Sequence, residues 1–164
     1  MNTSEALDTL RSRVLSRYTM LFLKTWEEER WEGELSELAL EIERGLVTWS
    51  STSGWQPAIG NGSVSESPAT FLDDIAAYPS EHVFLLKDFH PFLDDPTVVR
   101  RLRDLVPTLT EQKKTLLFVG PVSRIPVELQ SEAVAMELPL PDLEEMREQL
   151  AAVFLERRES GEPT

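Results

Sequence analysis

Three stretches of this chain, MLFL at 20–23, VFLL at 83–86 and TLLFVG at 115–120, are apolar at nearly every consecutive position. Their flanks carry acids, lysine, proline or glycine. A strand apolar on one face only would alternate with period two, so a continuous run marks a strand covered on both faces. Between these runs the apolar residues recur at helical spacing. Strands alternating with amphipathic helices define an α/β domain with a mainly parallel sheet and right-handed crossovers.

Followed along the chain, the pattern predicts a first helix over 3–17 carrying Leu7, Leu10 and Val14, with Thr3 or Ser4 as its N-cap. TMLFLKTW (19–26) is read as the first strand. A helix from Glu27 to Arg44 presents Trp31, Leu35, Leu38 and Ile42 on one face, with Gly45 as its stop. LVTWSS (46–51) is the second strand, and 52–67 form a Gly/Ser-rich loop. Ser67 and Pro68 open a helix to about Tyr78, because proline fits the first helical position. VFLLKDF (83–89) follows as a strand. Asp95 and Pro96 repeat the device before a helix burying Val98, Val99, Leu102, Leu105 and Val106, which Pro107 is expected to kink or break. TLLFVG and VAMELPL (134–140) complete a five-stranded sheet with helices on both faces. Asp142 and Glu145 form a capping box for a last helix with Leu143, Met146, Leu150 and Val153. Residues 1–158 are expected to form one domain and 159–164 a frayed tail.

Composition narrows the functions. The chain has 164 residues, 29 acids against 16 bases and a net charge of −13. Such a charge repels nucleic-acid phosphates and anionic lipid, so neither is an expected partner. The absence of cysteine removes disulfides, thiolate metal sites and thiol catalysis. The acidic N-terminus MNTSEALD is unlike a signal peptide, and apolar runs of about five residues are far short of the roughly 20 that span a bilayer. A cytoplasmic location is the expectation.

In an open parallel sheet, ligands bind beyond the carboxyl ends of the strands. After the first strand the chain reads TWEEER. A phosphate loop there needs glycine amides to wrap the anion and a lysine to neutralise it, yet no Gly-Lys pair occurs anywhere. Glu27, Glu28 and Glu29 instead suit the helix dipole and oppose phosphate. After the third strand, Asp88 stands where nucleotide hydrolases hold magnesium, without a following catalytic glutamate. Asp88, His90 and Asp94 are the candidate metal ligands, with Asp95 better explained as a cap. A Ser-His-acid triad would need His82 or His90, and no G-x-S-x-G elbow accompanies them. No cofactor and no catalytic residue are therefore expected. Arg100, Arg101 and Arg103, with Lys113 and Lys114, form the cationic stretch. It is either a solvated helix face or a contact for an acidic protein surface or a second copy. Trp55 either folds over the core or anchors a partner, whereas Trp26, Trp31 and Trp49 are assigned to the core or its edge.

Read in order, LFLKTWEEER, VTWSSTSGW, VFLLKDFHPFLDDPTVVRRLRDL, KTLLFVGPVSRIPVEL and ELPLPDLEEMREQL resemble the N-terminal region of a family of AAA-type ATPases. That family was first described as a hypothetical chloroplast reading frame and has cyanobacterial and other bacterial relatives. The resemblance covers about residues 5–150, and DFHPFL followed by VVRRLRDL is its most specific part. It implies a P-loop, AAA-core-like fold without a functional phosphate loop. TWEEER, with Glu27 and Glu28, would stand at the lost loop, and LLKDF, with Asp88, at the relic of the magnesium-binding strand. FVGPVSRIP would fall at a nucleotide-sensing strand end. It also implies a non-catalytic front domain, used for protein contact or assembly, that regulates an ATPase module behind it. The alternatives are a nucleotide-binding or hydrolysing domain with an unconventional site near Asp88, and a metal-dependent hydrolase.

Overall fold

A computed structural model describes residues 1–57 and 68–161. The five anticipated strands are β1 (Met20–Lys24), β2 (Gly45–Ser50), β4 (His82–Lys87), β5 (Thr115–Gly120) and β6 (Ala133–Glu137). They pair in parallel, β2 on β4, β4 on β5, β5 on β1 and β1 on β6. A sixth strand, β3 (Gly54–Gln56), lies inside the segment expected to be a loop and pairs antiparallel to β2. Its three residues are too few to register a period, and only their pairing with Thr48, Trp49 and Ser50 of β2 defines it. The order across the sheet is β3-β2-β4-β5-β1-β6.

The continuous apolar runs do cover two layers. On one face Leu21, Leu23, Val83, Leu85, Leu117 and Val119 meet Ala6, Leu10 and Val14 of α1 (Thr3–Leu15) and Trp31, Leu35 and Leu38 of α2 (Glu28–Glu41). On the other, Met20, Phe22, Phe84, Leu86, Leu116 and Phe118 meet Leu72 and Ile75 of α3 (Pro68–Ala77) and Val98, Leu102 and Leu109 of α4 (Pro96–Glu111). Odd and even positions of each strand thus belong to different cores, as the pleat requires. The last helix, α5 (Leu143–Ser160), buries none of its residues.

Four local expectations need correction. Asn2, rather than Thr3 or Ser4, caps α1, its Oδ1 accepting from the Glu5 amide at 2.8 Å. Thr3 is thereby free to bond Glu145 of α5. Gly45 does not end α2, which stops at Glu41; the turn uses Glu43 in the left-handed region, and Gly45 begins β2. Glycine is needed there because a Cβ would lie 2.5 Å from the His82 ring of the neighbouring strand. Pro107 does not stop α4, which runs on to Glu111. The proline removes one hydrogen bond, while buried Leu105 and Leu109 hold the helix to the core on either side of it. The capping box of α5 is half formed: Asp142 accepts from the Glu145 amide, but the Glu145 carboxylate turns to Thr3. The Ser67 cap falls outside the described residues.

Candidate functional site

Strand order reverses at β1, which sends α2 toward β2 on one side and has β6 on the other. The crevice beyond the carboxyl ends of β1, β5 and β4 is therefore where a ligand belongs in this topology. Here backbone hydrogen bonds stitch it closed. The Thr25 amide donates to the Gly120 carbonyl at 2.9 Å, Asp88 to Val119 at 3.0 Å and Leu138 to Lys24 at 2.9 Å. Thr25, itself buried, also accepts the Glu27 amide on Oγ1 at 2.9 Å. Two amides at the strand-to-helix turn, the groups that a phosphate would recruit, are thus already engaged.

Asp88 sits at this crevice with φ of 49°, in the left-handed region that Asp tolerates better than most residues. That turn carries its carboxylate across the mouth of β5. A Cβ on Gly120 would come within 3.0 Å of Asp88 Oδ1 and 3.6 Å of His90 Nδ1, so glycine is what lets the two loops close.

The charges around the crevice are acidic. Glu27 pairs with Arg30 at 3.4 Å, and Arg30 reaches the Pro139 carbonyl at 2.8 Å. Lys87 pairs with Glu32 at 2.6 Å. Burial pushes the Glu28 carboxyl above the ordinary glutamate range; Lys87 opposes this, and repulsion from Asp88 and Glu32 adds to it. A carboxylate already short of stabilising charge repels a phosphate placed beside it. Because the folded state holds that proton more tightly than the unfolded chain does, stability falls as pH rises through the raised value. Glu28→Gln is therefore expected to raise the melting temperature at pH 7, with the gain shrinking toward pH 4. Thermal melts of both chains across that range check the sign.

The metal-ligand candidates do not converge. Among the described residues no group of three His, Asp or Glu side chains is placed to hold a metal ion. Asp94 is engaged by Arg124, and Asp95 caps α4 by accepting the Thr97 amide at 2.9 Å. His90 is half-buried beside Phe22, Phe89 and Phe118. His82 lies at the opposite, amino end of the strands, as the first residue of β4, its Nδ1 near the Pro79 and Ser80 carbonyls.

The aromatic and cationic candidates separate. Trp55 is 5% exposed and packs in the core against Trp49 and Phe84, the first of its two readings. Trp26 reverses expectation at 81% exposure, whereas Trp31 and Trp49 are buried. It is the first residue after buried Thr25, past the last paired residue of β1, where strand alternation ceases to govern side-chain direction. Lys114 also departs from the solvated face: it is 1% exposed, with Nζ among the carbonyls ending α3. Arg100 pairs with Asp104 and Arg101 with Asp73, each at 3.0 Å. Arg103 and Arg100 line a cleft of about 220 Å³ with Leu93, Asp94, Pro126 and Glu128. The exposed apolar row of α5 was legible as an amphipathic helix, but not as one that the domain leaves uncovered.

A mostly parallel sheet with this strand order, clad by helices on both faces, is the core of P-loop AAA proteins. Thermotoga maritima RuvB superposes with a TM-score of 0.57 at 15% identity, over 94% of this chain and 50% of that one. Drosophila ORC, bound to AT-rich DNA and Cdc6, superposes at 0.50 with 10% identity, over 88% and 57%. At such identities these likenesses concern the fold alone. Residues 6–138 match the SpoVK-like AAA ATPase N-terminal domain, and the chain belongs to that family. The AAA domain-containing protein ycf46 of Guillardia theta is 31% identical over 142 residues, 84% of this chain and 28% of the relative. That of Trieres chinensis is 30% identical over 147 residues, 87% and 30%. The chain thus spans less than a third of these relatives. No helix among the described residues is long and apolar enough to cross a membrane.

Proposed function

We propose that this AAA-type domain is non-catalytic and acts through protein contact, positioning or regulating an ATPase module in its longer relatives. The observation that carries this reading is the turn after β1. The Thr25 and Glu27 amides are both already bonded, and Glu27, Glu28 and Glu29 occupy the N-cap and first turn of α2, which a phosphate would otherwise approach. Arg100, Arg101 and Arg103 on the outer face of α4 remain the proposed contact for an acidic surface. Their partial neutralisation by Asp73 and Asp104 makes that contact one of shape as well as charge.

Trp26 supplies the test, because it stands exposed beside Glu27 while the other three tryptophans are buried. Titration with a fluorescent ATP analogue and Mg²⁺, followed by tryptophan emission and competed with ATP, is expected to show no saturable binding up to about millimolar nucleotide. Competed binding in the micromolar range would overturn the proposal in favour of a nucleotide site near Asp88, with Asp88→Asn the next variant.

A further inference from the structure

The 18 residues of α5 bury nothing, yet Leu143, Met146, Leu150 and Val153 are spaced by three, four and three. They are 62%, 48%, 56% and 45% exposed, and Phe154 beside them is 45% exposed. The first turn is firmly tied to the domain, since Thr3 donates from Oγ1 to Glu145 Oε2 at 2.6 Å. Beyond it an apolar seam continues into solvent, in a helix that lacks the tertiary burial from which most helices in proteins draw their stability. Spacing of three and four is what a helix uses to meet another helix along a narrow seam.

The charges bordering the seam indicate what covers it. With the seam facing a partner, Arg147 and Arg158 lie along one border and Asp142, Gln149 and Glu156 along the other. In a parallel two-fold pair opposite borders meet. Asp142 of one helix then faces Arg147 of its copy, five residues on, and Glu156 approaches Arg157 at the end of the copy's seam. An antiparallel pair would set like borders together, bringing Asp142 near Glu156. An anionic membrane surface is a poor alternative, because Glu144, Glu145, Glu148, Glu156 and Glu159 crowd the rest of the helix.

We propose that α5 is a self-association element, pairing in parallel with α5 of a second copy of this chain through Leu143, Met146, Leu150 and Val153. This deepens the contact role proposed above and rests on it. About two heptads bury little, so the dimer is weak and forms at high concentration. The net charge of −13 opposes it at low salt, and about 0.15 M salt screens most of that repulsion.

Sedimentation equilibrium of the whole chain in that salt, from about 10 μM to about 1 mM, tests it. The mass is expected to climb from 18.6 kDa toward twice that value, and Leu150→Glu is expected to abolish the climb. Since α5 buries nothing, that variant should keep the wild-type melting temperature. The chain has no cysteine, so Val153→Cys gives a single thiol. Mild oxidation should link it into a disulfide dimer in the parallel pair. An antiparallel pair that matches Leu143 with Val153 separates these positions by about 15 Å along the axis and forbids the bond. A monomer at all concentrations, or a dimer that survives Leu150→Glu, overturns the proposal. A dimer lost in Leu150→Glu that refuses the Val153 disulfide overturns the parallel arrangement. A monomer whose α5 is trimmed by protease assigns the seam to a different partner. None of these outcomes depends on nucleotide, so failure here is distinct from failure of the non-catalytic reading.

Discussion

Lys114→Met is expected to lower the melting temperature by roughly 6–12 °C, although it alters a residue that a sequence reading would place in a solvated cationic stretch. The side chain is 1% exposed, and its Nζ donates to the carbonyls of Ile75 at 2.6 Å and Tyr78 at 2.5 Å. The Ala76 carbonyl, at 3.4 Å, and Gln112 Oε1 complete the shell. These backbone acceptors belong to the end of α3, where the last carbonyls have no intrahelical donor. Burial pushes the ammonium below the ordinary lysine value, and its four acceptors offset that cost. Methionine keeps much of the volume but takes the ammonium from these carbonyls, leaving that of Ile75 only the Tyr78 amide at 3.4 Å, at about 1–3 kcal/mol for each that no donor replaces. A total near 3 kcal/mol converts at about 2–4 °C per kcal/mol for a domain of this size. Calorimetry of the two chains decides it. A fall below about 2 °C would mean that the α3 terminus finds other donors.

The second large effect is at Trp55. Trp55→Ala is expected to destabilise the domain by about 3–5 kcal/mol, the usual range for emptying a buried aromatic site. Its ring is 5.8 Å from Phe84 at 77° and 6.5 Å from Trp49, and Trp49 in turn packs edge-on to Phe89. β3 has three residues, and Trp55 is its one large side chain in the core. Losing it should release the antiparallel edge as well as open a cavity. Trp55→Phe should recover most of the loss, because an apolar ring still meets Phe84. The measurement is a denaturant melt of each variant. A change under about 1 kcal/mol in Trp55→Ala, together with lost partner capture, would return this residue to the role of an anchor.

Three of the five parallel strands, β1, β4 and β5, were legible because they are apolar on both faces, whereas β2 and β6, only partly buried, were legible from short apolar runs placed between helices. Their ends were found within a few residues, as with TLLFVG at Thr115–Gly120. The lack of a phosphate-loop sequence was legible for a related reason: such a loop needs glycine and lysine at defined positions, and TWEEER has neither. Trp26 and Lys114 were misplaced because apolarity and charge describe what a side chain prefers, whereas its direction depends on where the strand stops pairing. Gly45 and Pro107 were over-read for a similar reason. Each is a strong local signal, and each was outweighed by a neighbour, His82 on the adjoining strand in one case and the buried leucines of α4 in the other.

By itself the sequence determined the α/β class, the alternation of strands and helices, the two apolar faces of the sheet and the acidic turn after β1. These follow from patterns within ten or fifteen consecutive residues, where periodicity and propensity act directly. Only the tertiary structure decided that β1 lies between β5 and β6, that Asp88 closes over Gly120, and that the Thr25 amide bonds the Gly120 carbonyl. Only there did α5 prove to be left outside both cores. Each of these is a relation between segments distant in the chain. It is decided by which surfaces remain to be covered after the local elements have formed, and no single segment carries that information.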